Sequence, residues 1–140
     1  MQPQKSEDNQ YGIEKLVVWK KAKDLAVFVY TQILPAFPDD EKFGLTSQLK
    51  RSISSVPANI AEGHGRFYYQ DTIRFCLNAR GSLVESKSHL ILAHDIGFLD
   101  DAKLEEVNMK IQEVHILING YILYLKKTKR DHSQEGIKNK

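Results

Sequence analysis

Apolar residues recur at helical spacing along almost the whole chain. The series Leu16, Trp19, Ala22, Leu25/Ala26, Val29, Ile33 predicts a first helix over about Ile13 to Leu34, which Pro35 and Pro38 terminate. The connection PAFPDDEKFG has room for one short helical turn, with Asp39 as its candidate cap. A second stripe, Leu45, Leu49, Ile53, Val56 and Ile60, predicts a helix within Leu45 to Arg66, with Gln48, Arg51, Ser55 and Glu62 on its opposite lane. Small residues at Ser52, Ser54, Ala58 and Ala61 let another helix approach closely. Pro57 lacks the N–H that would bond the Ile53 carbonyl, so a kink is expected there. Gly63 stands where a left-handed cap would end the helix.

A third helix is predicted from about Tyr69 to His94 by Ile73, Cys76/Leu77, Leu83/Val84 and Leu90/Ile91. Its apolar arc is wide enough to take in Arg80 and Lys87. Either the helix carries two apolar stripes, one for its own core and one for another subunit, or both cations snorkel from one broad core. Gly97 ends this helix and Asp100 caps a fourth, about Asp101 to Lys127, along Leu104, Val107, Ile111, Val114, Leu117/Ile118, Tyr121 and Leu125. Its second half, Ile116 to Leu125, is apolar nearly all round, which favours burial between subunits. No strand alternation competes. The expected fold is all-α, an antiparallel up-and-down four-helix bundle over 13–127, between a flexible N-terminal arm (1–12) and a basic flexible tail (128–140).

A chain of 140 residues is sized for one domain, and 41% hydrophobic with 27% charged residues is ordinary for a globular protein. The longest apolar run falls well short of the roughly 20 residues that span a bilayer, and the polar start MQPQKSEDNQ has no signal-peptide core, so a cytoplasmic protein without membrane contact is expected. Cys76 is the sole cysteine and reads as a small buried hydrophobe. Net charge is +2, unevenly spread: the segment from Lys126 sums to about +4, leaving about −2 for the rest. Lysines closing a terminal helix suit its dipole, the commoner meaning of such a tail.

Catalytic patterns fail one by one. Di-iron bundles use Glu-x-x-His, whereas Glu85 and His89 stand four apart and Glu113 and His115 two apart. The His94-Asp95 pair lacks the further ligands of a metal-dependent phosphohydrolase. Gly63-x-Gly65 follows a helix and not a strand, with Tyr68 in the third glycine's place and no Gly-Lys-Ser/Thr after it, so it is no phosphate loop. Ser47, Ser52, Ser54 and Ser55 come without a histidine at helical spacing. No enzyme, cofactor or metal is expected. What remains is charge: Lys50, Arg51, Arg66, Arg74, Arg80 and Lys87 outweigh Glu62, Asp71 and Glu85 between positions 50 and 87, with Tyr68 and Tyr69 placed to stack on bases. The same residues would equally serve a subunit contact.

The segments LVVWKKA, FGLTSQLKRSISSVPANIAEGHGR, RFCLNARGSLVES and HDIGFL resemble the bacterial four-helix-bundle proteins encoded in 23S ribosomal RNA intervening sequences, over about Leu16 to Leu125. That family is similar in turn to the accessory variability protein of diversity-generating retroelements. The resemblance implies a bundle that assembles as a homo-oligomer, typically a pentamer, with no known catalysis; for the retroelement relatives it implies binding to RNA or DNA and to a reverse transcriptase. It carries over to Gln48, Arg51, Pro57, Asn59, Glu62, Gly63, Arg66, Arg74, Gly81, Ser82 and Glu85. Where relatives have basic residues and a serine cap after the Gly-x-Gly-Arg loop, Phe67-Tyr68-Tyr69 stands here, which lowers the local charge. The combined expectation is a non-enzymatic oligomeric scaffold. Its candidate contacts to nucleic acid or another partner are Lys50, Arg51, Asn59, Glu62, Arg66, Tyr69 and Arg74, and its candidate subunit contacts are Arg80, Lys87, Tyr121 and Tyr124. The alternative is a purely structural or protein–protein module whose basic residues pair between subunits.

Overall fold

A computed structural model describes the backbone of residues 12–138 and the side chains of residues 12–128. Helices α1 (Val17–Phe28), α2 (Leu45–His64), α3 (Tyr69–Asp95) and α4 (Asp101–Lys138) carry the described chain, and no strand occurs in it. Their pairing runs antiparallel throughout. Lys50 of α2 lies against the Tyr30 ring just beyond α1, and Ser52 and Gly63 of α2 meet Ser86 and Thr72 of α3. Arg80 and His94 of α3 meet Asn119 and Asp101 of α4, and Lys21 of α1 pairs with Glu113 of α4. The α2 stripe from Leu45 to Ile60 is buried as its spacing requires, against Leu25, Val29, Leu83, Leu90, Val107 and Ile118 in one core. No described helix is long and apolar enough to cross a membrane.

Several boundaries depart from the sequence pattern. The first helix does not run regularly to Leu34: after Phe28 it widens into a π turn, Val29–Ile33, then tightens into a 3-10 turn, Leu34–Ala36. Pro35 has no N–H for the regular ladder, and the change of pitch lets Ile33, Leu34 and Phe37 all turn inward. Asp39 opens the short turn Asp39–Glu41 but its side chain caps nothing; Glu41 Oε2 instead accepts the Leu45 N–H at 2.9 Å and caps α2. Asp100 does cap α4, accepting the Lys103 N–H at 2.8 Å. α4 passes the expected stop at Lys127 and continues to Lys138, since no proline interrupts a run rich in Lys, Arg, Gln and Glu. The arm expected over 1–12 falls, Gly12 apart, outside the described residues.

The two glycine sites behave differently. Gly97, at φ +90°, ends α3 as expected: its N–H bonds the His94 carbonyl at 3.0 Å and the Phe98 N–H bonds Ala93 at 2.8 Å, closing a left-handed cap. Gly63 is not a left-handed cap. It is buried inside α2, one residue before the helix ends, and a Cβ there would lie 2.7 Å from Phe75 Cβ and 3.1 Å from the Thr72 carbonyl. Its role is close approach. Pro57 lies within α2, which continues as one helix through it.

The α2–α3 seam is small and polar. Ser86 Oγ lies 2.8 Å from Ser52 Oγ, Ser55 Oγ lies 2.9 Å from Ser82 Oγ, and Thr72 Oγ1 donates to the Gly63 carbonyl at 2.8 Å. Of the small residues singled out for close approach, Ser52 is in the seam while Ser54 and Ala58 are exposed. Ser55, expected on the free polar lane, is part of the seam too.

Two measurements test this arrangement. Gly63→Ala should destabilise by about 1–3 kcal/mol, because neither a Cβ nor a carbonyl can swing away, whereas Gly81→Ala, where nothing lies within 4 Å, should stabilise slightly; urea unfolding of both variants decides. At the α3–α4 corner, His94 touches Asp95 through Nδ1 and Asp101 through Nε2, an arrangement that needs both ring nitrogens protonated. Hydrogen bonds to Asp101 and then Asp95 hold the His94 pKa above its ordinary 6.5. A raised folded-state pKa contributes stability that is full below 6.5 and lost as pH rises through the folded value. The unfolding-midpoint difference between the wild type and His94→Gln should therefore be largest in mild acid and shrink at alkaline pH.

Candidate functional site

Three surfaces stand out, and the first is the corner between α2 and α3. α2 ends at His64, the Arg66 N–H bonds back to the Gly63 carbonyl at 3.1 Å, and α3 restarts at Tyr69. Because Gly63 lets Phe75 close on α2, the Phe75 ring collects both arginines of the corner: the Arg66 guanidinium carbon lies 4.9 Å and that of Arg74 5.6 Å from its centroid. Arg66 also pairs with Glu62 at 3.0 Å and Arg74 with Asp71 at 3.6 Å. Exposed pairs of this kind contribute roughly 0–1 kcal/mol, so both guanidiniums can exchange a carboxylate for another anion. Phe67 and Tyr68 meet edge to face at 5.2 Å beside them, with Phe67 exposed.

The antiparallel course gives the bundle a charge axis. The corner shares its end with the start of α1 and the departing α4, so Lys15, Lys126 and Lys127 join Arg66 and Arg74 there. The other end gathers Asp39, Asp40, Asp95, Asp100, Asp101 and Glu105 with fewer cations.

The third surface is the outer face of α3 and α4. Leu77, Val84 and Ile91 on α3, and Met109, Ile116 and Leu123 on α4, are exposed at seven-residue intervals, the α4 trio at 62–68%. The Arg80–Asn119 bond sets the register, so that Leu77 stands level with Leu123, Val84 with Ile116 and Ile91 with Met109. A groove of about 590 Å³ runs between them, lined among others by Val84, Lys87, Glu105, Met109, Gln112 and Ile116.

The candidate contact residues are therefore divided. Arg66, Arg74 and Glu62 come together at the corner. Lys50 and Arg51 lie about 22 Å away along α2 at 1.5 Å per residue; Lys50 sits 5.6 Å from the Tyr30 ring centroid and Arg51 is exposed. Asn59 folds back on its own helix, its Nδ2 donating to the Ser55 carbonyl and Oγ at 2.8 Å each. Tyr69 is 2% exposed and part of the core, so its ring cannot stack on a base. The aromatic that organises the arginines is Phe75, which periodicity alone passes over; its signal was its place next to Arg74 on the lane that faces Gly63.

Of the candidate subunit contacts, Arg80 Nη1 donates to Asn119 Oδ1 at 2.9 Å within the chain, half-buried, while Lys87 is exposed in the groove. Tyr121 is half-buried with its hydroxyl 3.4 Å from His64 Nδ1, and burial pushes its phenol pKa up. Tyr124 is exposed and stacks on Tyr121 at 6.4 Å between centroids. Among the described residues no group of three or more His, Cys, Asp or Glu side chains could hold a metal ion.

The family model described as 23S rRNA-intervening sequence protein matches residues 14–120. No curated protein matches the chain. Among solved structures, a protein of unknown function from the S23 ribosomal protein family of Bacteroides thetaiotaomicron superposes with a TM-score of 0.69 at 23% identity, covering 75% of this chain and 97% of the other. At that identity the likeness speaks for the fold alone.

Proposed function

The chain belongs to the 23S rRNA-intervening sequence protein family, and on that footing we propose that it is a non-enzymatic helical scaffold that assembles with copies of itself and binds nucleic acid at its basic end. The observation that carries this reading is the pair of exposed seven-residue stripes on α3 and α4. A monomer gains nothing from two level, solvent-facing apolar rows, whereas copies packed α3 stripe on α4 stripe would bury both. That pairing also faces Lys87 of one copy toward the Glu105 and Gln112 side of the next. It is heterologous, a contact that makes a ring when its rotation closes and a filament when it does not, and the ring that the family resemblance implies is a pentamer.

The nucleic-acid part is supported by the family's ribosomal RNA setting and by the charge axis, which puts Arg66, Arg74, Lys126 and Lys127 at one end and a cluster of carboxylates at the other. The alternative, a module whose basic residues serve only intersubunit pairing, keeps Lys87 but has less use for Arg80, whose partner Asn119 is in its own chain.

Light scattering should return a multiple of the 16.1 kDa chain mass, and Val84→Asp or Ile116→Asp should reduce it toward one chain with the helical circular dichroism preserved; a wild-type mass of one chain would remove the assembly. For binding, the affinity of a short single-stranded RNA should fall steeply with salt, and Arg66→Ala or Arg74→Ala should each lower the slope by about 0.7. Arg51→Ala, distant along α2, should leave that slope alone, and a salt-independent affinity would refute the nucleic-acid part.

A further inference from the structure

The acidic end of the bundle carries an apolar patch that neither the assembly face nor the basic corner uses. Phe43, in the connection before α2, is 90% exposed, with Lys42 Nζ 5.5 Å from its ring centroid. Single exposed hydrophobics are common, and what marks this one is the groove that the adjoining Gly44 lines. Next to Gly44 a groove of about 310 Å³ separates the start of α2 from the last turns of α3, lined by Glu41, Gln48, His89, Leu92 and Ile96 among others. Leu92 and Ile96, one turn apart, are each about half exposed. Around α3, Leu92 lies about 80° and Ile96 about 120° from the middle of the Leu77–Val84–Ile91 stripe, turned toward α2, so contacts made along that stripe do not require them.

The charge around the patch selects its occupant. Asp39, Asp40 and Glu41 on the connection that leads to Phe43, with Asp95, Asp100 and Asp101 around the end of α3, outnumber the neighbouring cations Lys42 and Lys103. A phosphate backbone would be repelled from such a surface. A cationic segment with apolar side chains would be attracted on both counts, its apolar groups filling the groove beside Phe43 and its cations facing the carboxylates. We propose that this end docks a second protein through a basic amphipathic segment, with Phe43, Leu92 and Ile96 as the apolar seat.

The surface is independent of nucleic-acid binding at the opposite end, and the two stand or fall separately. The full chain is titrated into three fluorescein-labelled peptides and followed by anisotropy: a 14-residue leucine–lysine helix, the same helix with glutamate for lysine, and residues 126–140 of this chain. The leucine–lysine peptide should bind, weaken with salt, and lose about tenfold in affinity on Phe43→Ala or Leu92→Ser, while Val27→Ala on exposed α1 surface changes nothing. Phe43 is so exposed that its truncation leaves folding intact. Equal binding of the glutamate peptide, or affinity indifferent to both patch variants, would overturn the proposal. Tighter binding of residues 126–140 than of the leucine–lysine peptide would also overturn it, by making a second copy of this chain the occupant.

Discussion

The close approach of α2 to α3 is the constraint on which the other features depend. Serine hydroxyls at positions 52, 55, 82 and 86 and the bare backbone of Gly63 replace the bulky side chains that would hold two helices apart. Near Gly63 the gap is too narrow for a methyl group. The Thr72 hydroxyl bonds the Gly63 carbonyl, so the first turn of α3 is tied to the last turn of α2 and the intervening corner is short and defined. The placement of Phe75 between Arg66 and Arg74 is a direct result, since Phe75 can reach both arginines only because Gly63 leaves it room.

The same seam decides how α3 spends its remaining surface. With α2 packed on small polar residues, Leu83 and Leu90 fill the core, and the wide apolar arc of the helix has Leu77, Val84 and Ile91 left over. α4 is in the same position, with Met109, Ile116 and Leu123 outside. The hydrogen bond from Arg80 to Asn119 brings these leftovers level, turning two separate excesses into one face. Arg80 thus bridges two helices of its own chain.

Polarity along the bundle axis arises from topology. Each helix reverses direction, so charges far apart in sequence gather at a common end: Asp39 and Asp40 with Asp95, Asp100 and Asp101, and Lys15 with Arg66, Arg74 and Lys126. A net charge of +2 conceals this separation. A nearly neutral chain therefore carries potentials of opposite sign at its two ends.

The sequence by itself determined that there are four helices and which lanes of them face the core, because a 3.6-residue apolar period and caps such as Asp100 and Gly97 are local signals. It also showed that α3 has too much apolar surface for one core. Only the tertiary structure decided what each polar or aromatic residue does with its side chain. Tyr69 was withdrawn into the core, Asn59 turned back on its own helix, Ser55 entered the seam, and Phe75, unremarked by periodicity, became the hub of the corner. Gly63 shows why: a glycine one residue from a helix end is the mark of a left-handed cap and equally of a close contact, and only the position of Phe75 on the neighbouring helix distinguishes them.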